Sequence, residues 1–187
     1  VTRADISVED LVLVVGAGPI GLSIITFVKY KGAKVIVFDK NNSRLEFLRK
    51  NFEIDLIIHS DSLKVESEIE KKFKFRKPNI IFDATGNKNS MNKMFDIISF
   101  GGRIVYVGLF NGDISFNDPL FHRKEITLMA SRNSISSDFI DIINLIQKNK
   151  INVDPWITDQ EKFVNFPKVF KDWMNPKNKT IKAILNL

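Results

Sequence analysis

Residues 11–39 read LVLVVGAGPIGLSIITFVKYKGAKVIVFD, and their reading decides the fold. Leu11 to Val15 is an unbroken apolar run, the pattern of a strand buried on both faces. Gly16, Gly18 and Gly21 follow at the spacing G-x-G-x-x-G. A helical pattern then runs from Pro19 to the region of Gly32. A second apolar run, Val35 to Phe38, ends on Asp39. Each part has a physical task. Gly16 turns the chain sharply from strand to helix, Gly18 lets a pyrophosphate approach the backbone, and Gly21 lets helix and strand lie close. The helix N-terminus offers unpaired N–H groups and partial positive charge to phosphates. Pro19 suits the first helical turn, where a missing N–H costs nothing. Asp39 lies at the distance from the glycines expected of an acid that accepts ribose hydroxyls.

Glycines alone at this spacing are weak evidence, since most such glycines are ordinary turn residues. Here a strand precedes them, a helix follows, and the acid closes the next strand, which is the context the fingerprint requires. The segment therefore predicts dinucleotide binding. Asp39 favours NAD, because a carboxylate there repels a 2′-phosphate. Lys40 and Arg44 beside it keep NADP open.

The rest of the chain repeats the unit. Ser43-x-x-Glu46 reads as a capping box opening a helix that ends near Asn51. Ile54–Ile58 reads as a third strand, and Leu63–Phe75 as a helix stopped by Pro78. Asn79–Phe82 reads as a fourth strand closing on Asp83-Ala84-Thr85-Gly86, followed by a helix over Asn89–Ser99. Arg103–Val107 reads as a fifth strand after Gly101-Gly102. A loop containing Pro119 then leads to a sixth strand, Ile126–Ala130, and to a final amphipathic helix, Ser137–Lys148. Short strands joined by helical crossovers require parallel pairing. The expected class is α/β, a Rossmann-type doubly wound six-stranded sheet of order 3-2-1-4-5-6. Ligands of such sheets sit at the carboxyl ends of the strands, where Gly16, Gly18, Thr85, Gly86, Gly108 and Leu109 all fall. Asp83 falls there too, either to cap the next helix or to do chemistry. The tail breaks the alternation: extended VDPWIT, a helix near Pro167–Met174, and a strand, Thr180–Leu187, with no vacancy beside it. That strand is expected to pair with a part of the protein outside this chain.

Composition sets the bounds. The chain has 187 residues, 44% hydrophobic and 27% charged, enough for one sizeable core and an appendage. No apolar run is long enough to span a membrane, and VTRADISVED is too polar for a signal peptide. The expected location is the cytoplasm. Net charge is +6. The one basic cluster, KKFKFRK at 71–77, follows Glu66, Glu68 and Glu70. Val65, Ile69 and Phe73 recur every four residues as a buried stripe, so these charges read as a wet helix face and not as a nucleic-acid surface. Cysteine is absent and only His59 and His122 could ligate as imidazoles, so no metal site is expected within these residues. The first residue is Val1, not Met, which suggests that residues precede it.

Taken together, LVLVVGAGPIG, VIVFDKNNSR, IIFDATGN, GGRIVYVGL and HRKEITLMASRN resemble the zinc-type alcohol dehydrogenases of the medium-chain dehydrogenase/reductase superfamily. PWIT and IKAILNL fit that family's return into its other domain. The run HRKEITLMASRN is most similar to the polyol and sugar-acid branch. The resemblance implies a lead-in over 1–8, an NAD-binding Rossmann domain over 9–152, and a return segment over 153–187 into a β-rich catalytic domain. That other domain would carry the catalytic zinc, and this chain no catalytic residue. It implies that Gly16, Gly18, Pro19, Ile20 and Gly21 hold the pyrophosphate and that Asp39 and Arg44 reach the adenosine ribose. Thr85, Val107, Gly108 and Leu109 would line the nicotinamide side, Gly86 would belong to the same cofactor site, and Arg132 would approach the substrate. The family's activity is hydride transfer between nicotinamide and an alcohol, and its subunits pair through the strand equivalent to 126–130, implying a homo-oligomer. Two other classes share the glycine turn and acid: non-enzymatic NAD-binding regulatory domains, which need no orphan tail strand, and S-adenosylmethionine-dependent methyltransferases, for which DATG is a poor substrate motif.

Overall fold

The computed structural model describes residues 1–62, 64–175 and 178–187. The chain divides into two compact units, Val1–Ser136 and Ser137–Leu187. The first is built around β1 (Leu11–Val15), whose five side chains are all buried. β1 is flanked on both sides by parallel partners, so neither face nor edge meets water, and an apolar run without alternation is what this place demands.

The other strands are β2 (Lys34–Asp39), β3 (Leu56–His59), β4 (Ile80–Asp83), β5 (Arg103–Tyr106) and β6 (Thr127–Ala130). They form one parallel sheet in the order β3-β2-β1-β4-β5-β6. This is the order expected from the sequence. The crossover helices are α1 (Pro19–Tyr30), α2 (Asn42–Asn51), α3 (Val65–Phe73) and α4 (Lys88–Ile97), with α5 (Asp118–Arg123) between β5 and β6. α1 packs on β1 and β2, α2 on β2 and β3, α3 on β3, and α4 on β4. Leu13, Ile36, Phe82 and Phe95 are among the largest fully buried side chains. Each such residue contributes roughly 1.5–3 kcal/mol by leaving water.

Several local expectations need correction. The cap of α2 is Asn41, whose side chain accepts from the Arg44 N–H at 3.2 Å; the helix is already under way at Ser43, so that residue caps nothing. α3 ends at Phe73, where Lys74 adopts a left-handed conformation, well before Pro78. Its expected first residue, Leu63, lies outside the described residues. The stretch around Pro119 is a helix, α5. Pro119 occupies its first turn, and Asn117 caps it by accepting from Leu120 N–H at 2.8 Å. Aromatic packing holds α5 down: Phe116 stacks on Phe95 at 4.9 Å between centroids and meets Phe121 at 5.2 Å. Lys124 follows α5 and is buried. Its Nζ donates to the carbonyls of Phe95, Asp96 and Ile98 at 2.8–2.9 Å, closing the C-terminus of α4. Burial lowers the Lys124 pKa from its ordinary value.

In the second unit, α6 (Ser136–Gln147, beginning at the unit boundary) is followed by β7 (Ile157–Lys162), α7 (Phe166–Trp173) and β8 (Lys182–Asn186). β8 pairs in parallel with β7. The tail strand thus finds a neighbour inside the chain, contrary to the expectation that it pairs only elsewhere. VDPWIT, expected to be extended, is a 3-10 turn over Asp154–Trp156, and the strand starts only at Ile157 and runs on through Asp159–Lys162, where polar residues hide the pattern.

At the amino ends of the strands, a polar network ties the sheet together. The buried Asp10 carboxylate accepts from Ser7 N–H at 2.7 Å and from Asn79 Nδ2 at 2.6 Å, and lies 3.7 Å from Arg103 Nη2. Asn79 Oδ1 in turn accepts from Leu11 N–H at 2.8 Å. Burial alone would raise the Asp10 pKa. The Ser7 and Asn79 hydrogen bonds and the Arg103 charge outweigh it and hold the group below 3.8. Its contribution to stability is therefore full above the unfolded value and is lost as pH falls through the depressed folded value. Asp10→Asn is expected to cost about 1–3 kcal/mol at neutral pH. Urea midpoints measured between pH 7 and pH 3 should show the gap to wild type narrowing once pH drops below about 4.

Candidate functional site

The strand order reverses between β1 and β4, and this switch point creates a crevice at the carboxyl ends of the strands. Three turns meet there: 16–18 after β1, 84–86 after β4, and 107–109 after β5. They fit backbone to backbone. A Cβ on Gly21 would lie 1.7 Å from the Gly16 carbonyl oxygen, so α1 rests directly on the first turn. A Cβ on Gly108 would lie 2.2 Å from Gly86 N, and one on Gly86 would lie 2.5 Å from the Leu109 carbonyl oxygen. Gly16 has φ +97°, a conformation a side chain rarely adopts, and packs against Thr85, whose Cγ2 would stand 3.3 Å from an added Cβ.

Gly18 differs from these. The nearest atom to its absent Cβ is Arg44 Nη1, at 3.6 Å, and no backbone crowds it. Its smallness is not used by the fold, and the space above it is open to a ligand. α1 begins beside it with Gly18 as N-cap and Pro19 in the first turn. The first-turn N–H groups of Ile20 and Gly21 have no carbonyl one turn earlier within the helix, so they are available to an anion. Ile20 and Leu109 are apolar yet exposed, at 51% and 79%, on the rim of this crevice.

Asp39 ends β2 and is 6% exposed. Its Oδ2 accepts from Ala17 N–H at 2.6 Å and its Oδ1 from Asn41 N–H at 2.7 Å. Arg44 Nη1 stands 3.8 Å from Oδ2. The acid therefore binds the glycine turn itself, a role the sequence spacing does not reveal. Each carboxylate oxygen retains a lone pair for a further donor.

Asp83 is fully buried at the end of β4. Its Oδ1 accepts from Thr85 N–H at 2.9 Å and from Thr85 Oγ at 2.6 Å, and its Oδ2 accepts from Ser90 Oγ at 2.6 Å. The cap of α4 is Asn87, which accepts from the N–H groups of Asn89 and Ser90. Tyr106 donates to the Met91 carbonyl at 3.1 Å; burial and the nearby Asp83 charge push its pKa up to about 12. Sequence reasoning missed Ser90 and Tyr106. The only available signal was a serine in the first turn of α4.

Thus the carboxyl edge gathers the glycine turn, Asp39, Arg44, the Thr85–Gly86 turn and the Val107–Leu109 turn. Arg132 is exposed just past β6, at the same edge of the sheet but three strands from β1. His59 Nε2 donates to the Lys40 carbonyl and its Nδ1 accepts from Asp61 N–H, while His122 lies on α5, not in a loop, 3.8 Å from Asp118. Among the described residues, no three His, Cys, Asp or Glu side chains converge as a metal site. No described helix is long and apolar enough to cross a membrane.

Comparison with known proteins agrees with this geometry. The family model described as zinc-binding dehydrogenase matches residues 19–148. The chain belongs to the zinc-binding dehydrogenase family. It is 35% identical over 185 residues to L-galactonate-5-dehydrogenase of Escherichia coli K12, covering 99% of this chain and 54% of that protein. It is 28% identical over 178 residues to D-xylulose reductase of Saccharomyces cerevisiae, covering 92% and 50%. The fold matches a short chain alcohol dehydrogenase of E. coli CFT073 solved with NADH. There the TM-score is 0.89 at 24% identity, covering all of this chain and 55% of the other. L-idonate 5-dehydrogenase of E. coli K-12 superposes with TM-score 0.84 at 22% identity, over all of this chain and 52% of its own. The chain therefore spans about half the length of the relatives it matches.

The two glycines separate fold from ligand. Gly21→Ala should unfold at markedly lower urea, with a loss of at least about 3 kcal/mol, because backbone must move to admit the methyl. Gly18→Ala, in an extended conformation any residue adopts, should stay within about 1 kcal/mol of wild type in the same titration.

Proposed function

We propose that this chain is the cofactor-binding part of an NAD-dependent, zinc-type oxidoreductase that moves hydride between nicotinamide and the CH–OH carbon of an alcohol, polyol or sugar acid. The observation that carries the reading is the pairing of Asp39 with the glycine turn at the switch point of a β3-β2-β1-β4-β5-β6 sheet. The open face of Gly18 and the start of α1 fit a pyrophosphate. Asp39 fits the adenosine ribose, and its charge disfavours a 2′-phosphate, so NAD is preferred over NADP. Arg44, close to both Asp39 and Gly18, screens the diphosphate charge. Ile20, Val107 and Leu109 provide apolar walls that exclude water from the reacting end. When bound, NAD supplies the hydride acceptor.

The metal that the family name implies does not fit the residues present. The chain has no cysteine, and among the described residues no three His, Cys, Asp or Glu side chains converge. Zinc would be held by residues outside this chain, and no residue here takes a catalytic step. Arg132, at the carboxyl edge, is proposed to meet the substrate of the complete enzyme, for which the polyol and sugar-acid relatives give the class. The exposed edge of β6 is proposed to pair with a second copy, since an uncovered apolar edge strand favours pairing.

NADH binding, read by fluorescence and thermal shift, tests the reading. NADH at 100 times its dissociation constant should stabilise the chain by roughly 2.7 kcal/mol. NADPH should bind at least about tenfold more weakly, as one misplaced charge pair implies. A chelator should change neither value, and the chain by itself should oxidise no polyol. Gly18→Ala should weaken NADH while leaving the fold intact. Equal affinity for NADPH would overturn the Asp39 reading, and stabilisation by S-adenosylmethionine in place of NADH would overturn the dehydrogenase reading.

A further inference from the structure

Thr85 is exposed at the switch point, yet the proton of its hydroxyl points inward. The buried Asp83 carboxylate accepts it at 2.6 Å, and a carboxylate can only accept. The same carboxylate oxygen takes the Thr85 N–H, which fixes the residue's backbone as well. The Thr85 oxygen also accepts from Asn87 N–H at 3.1 Å. One lone pair remains, and it can receive only a donor. Thr85 is exposed and stands against Gly16 through its methyl, Cγ2 lying 3.3 Å from where a Cβ of that glycine would lie, so its hydroxyl is carried at the rim of the crevice beside the glycine turn. Ser90 donates to the other Asp83 oxygen at 2.6 Å, while the Thr85 N–H holds the oxygen that faces Thr85. The backbone of the same turn is wedged by Gly108, so Thr85 cannot retreat.

We infer that Asp83 is a positioning residue: by taking the Thr85 proton, it makes the Thr85 hydroxyl an obligate acceptor for a ribose hydroxyl of the bound dinucleotide. This rests on the dinucleotide reading above. A hydroxyl free to rotate would present a donor or an acceptor indifferently. Here the polarity is set before the ligand arrives, so no reorganisation is needed on binding. The discrimination is against groups that present only acceptors at that place.

NADH affinity of the full chain and its variants tests this. Thr85→Val keeps the shape and removes the acceptor; it should weaken NADH about fivefold. Thr85→Ser restores the hydroxyl and should lie within about twofold of wild type. Ser90→Ala, which loosens the turn without touching the Thr85 proton, should melt earlier and bind NADH within about twofold. Asp83→Asn can keep an oxygen towards Thr85 and should bind nearly as wild type, whereas Asp83→Ala should fall as far as Thr85→Val. Titration with AMP locates the donor: a loss shared by AMP assigns it to the adenosine ribose, and a loss confined to NADH to the nicotinamide ribose. Unchanged NADH affinity in Thr85→Val overturns the inference, as does an equal loss in Ser90→Ala, which would mean that the network is structural only. If Asp83→Ala fails to fold, the Thr85→Val and Thr85→Ser pair decides. Failure of the wild-type chain to bind NADH at all would instead remove the dinucleotide reading on which the inference stands.

Discussion

The backbone of α1 lies so close to the turn before it that no side-chain atom fits between them; a methyl at Gly21 would fall 1.7 Å from the Gly16 carbonyl. Much else depends on this contact. It sets the angle at which the helix leaves the sheet, and so where its first N–H groups point. It brings Ala17 N–H within reach of Asp39, which joins the end of β2 to the turn after β1. The turn then presses on Thr85, and the Thr85–Gly86 turn presses on Gly108. The crevice is therefore a stack of three backbone turns held by close approach, with two buried acids supplying the hydrogen bonds between and within them. Rigid walls of this kind preserve the position of a ligand to a fraction of an ångström, which flexible side chains do not.

What the sequence made legible follows from this. The glycines, the apolar run of β1 and the terminal Asp39 are each required by sterics or burial, so the residue type reports the place. The same holds for sheet order, since short buried strands joined by helices have few ways to arrange themselves. Features that rest on side-chain choice among equals were harder. Asn41 caps α2 although Ser43-x-x-Glu46 has the better formal pattern, because the cap is chosen by where the chain leaves β2. Pro119 suggested a loop, but a proline in a first turn is compatible with helix, and Phe95, distant in sequence, seats α5 through Phe116 and Phe121. β7 was hidden because Asp159, Gln160 and Glu161 give it no apolar alternation. The bonds of Asp83 to Thr85 and Ser90 were invisible for a different reason: a carboxylate next to a glycine turn has many geometries, and only coordinates select one.

The two ends of the sheet divide the polar work. At the amino ends, Asp10 links Ser7, Asn79 and Arg103 and contributes to stability. At the carboxyl ends, Asp39 and Asp83 likewise accept on both oxygens, and what they hold are the turns after β1 and β4. Both networks use buried acids that accept backbone N–H groups, and what distinguishes them is what the acid fixes: the starts of strands at one end, the turns of the switch point at the other.

Of the six strands of this sheet, β1 comes first in the chain and stands between β2 and β4 in the finished sheet. Its partner on one side, β2, follows within some two dozen residues, but Val12 must wait for Ile80 to gain its partner on the other. Throughout that interval the most apolar strand of the chain has an open edge, and the glycine turn lacks Thr85 to lean on. The growing chain is thus most prone to wrong pairing before β4 is made, and the crevice at the switch point is complete only once residues 107–109 have emerged.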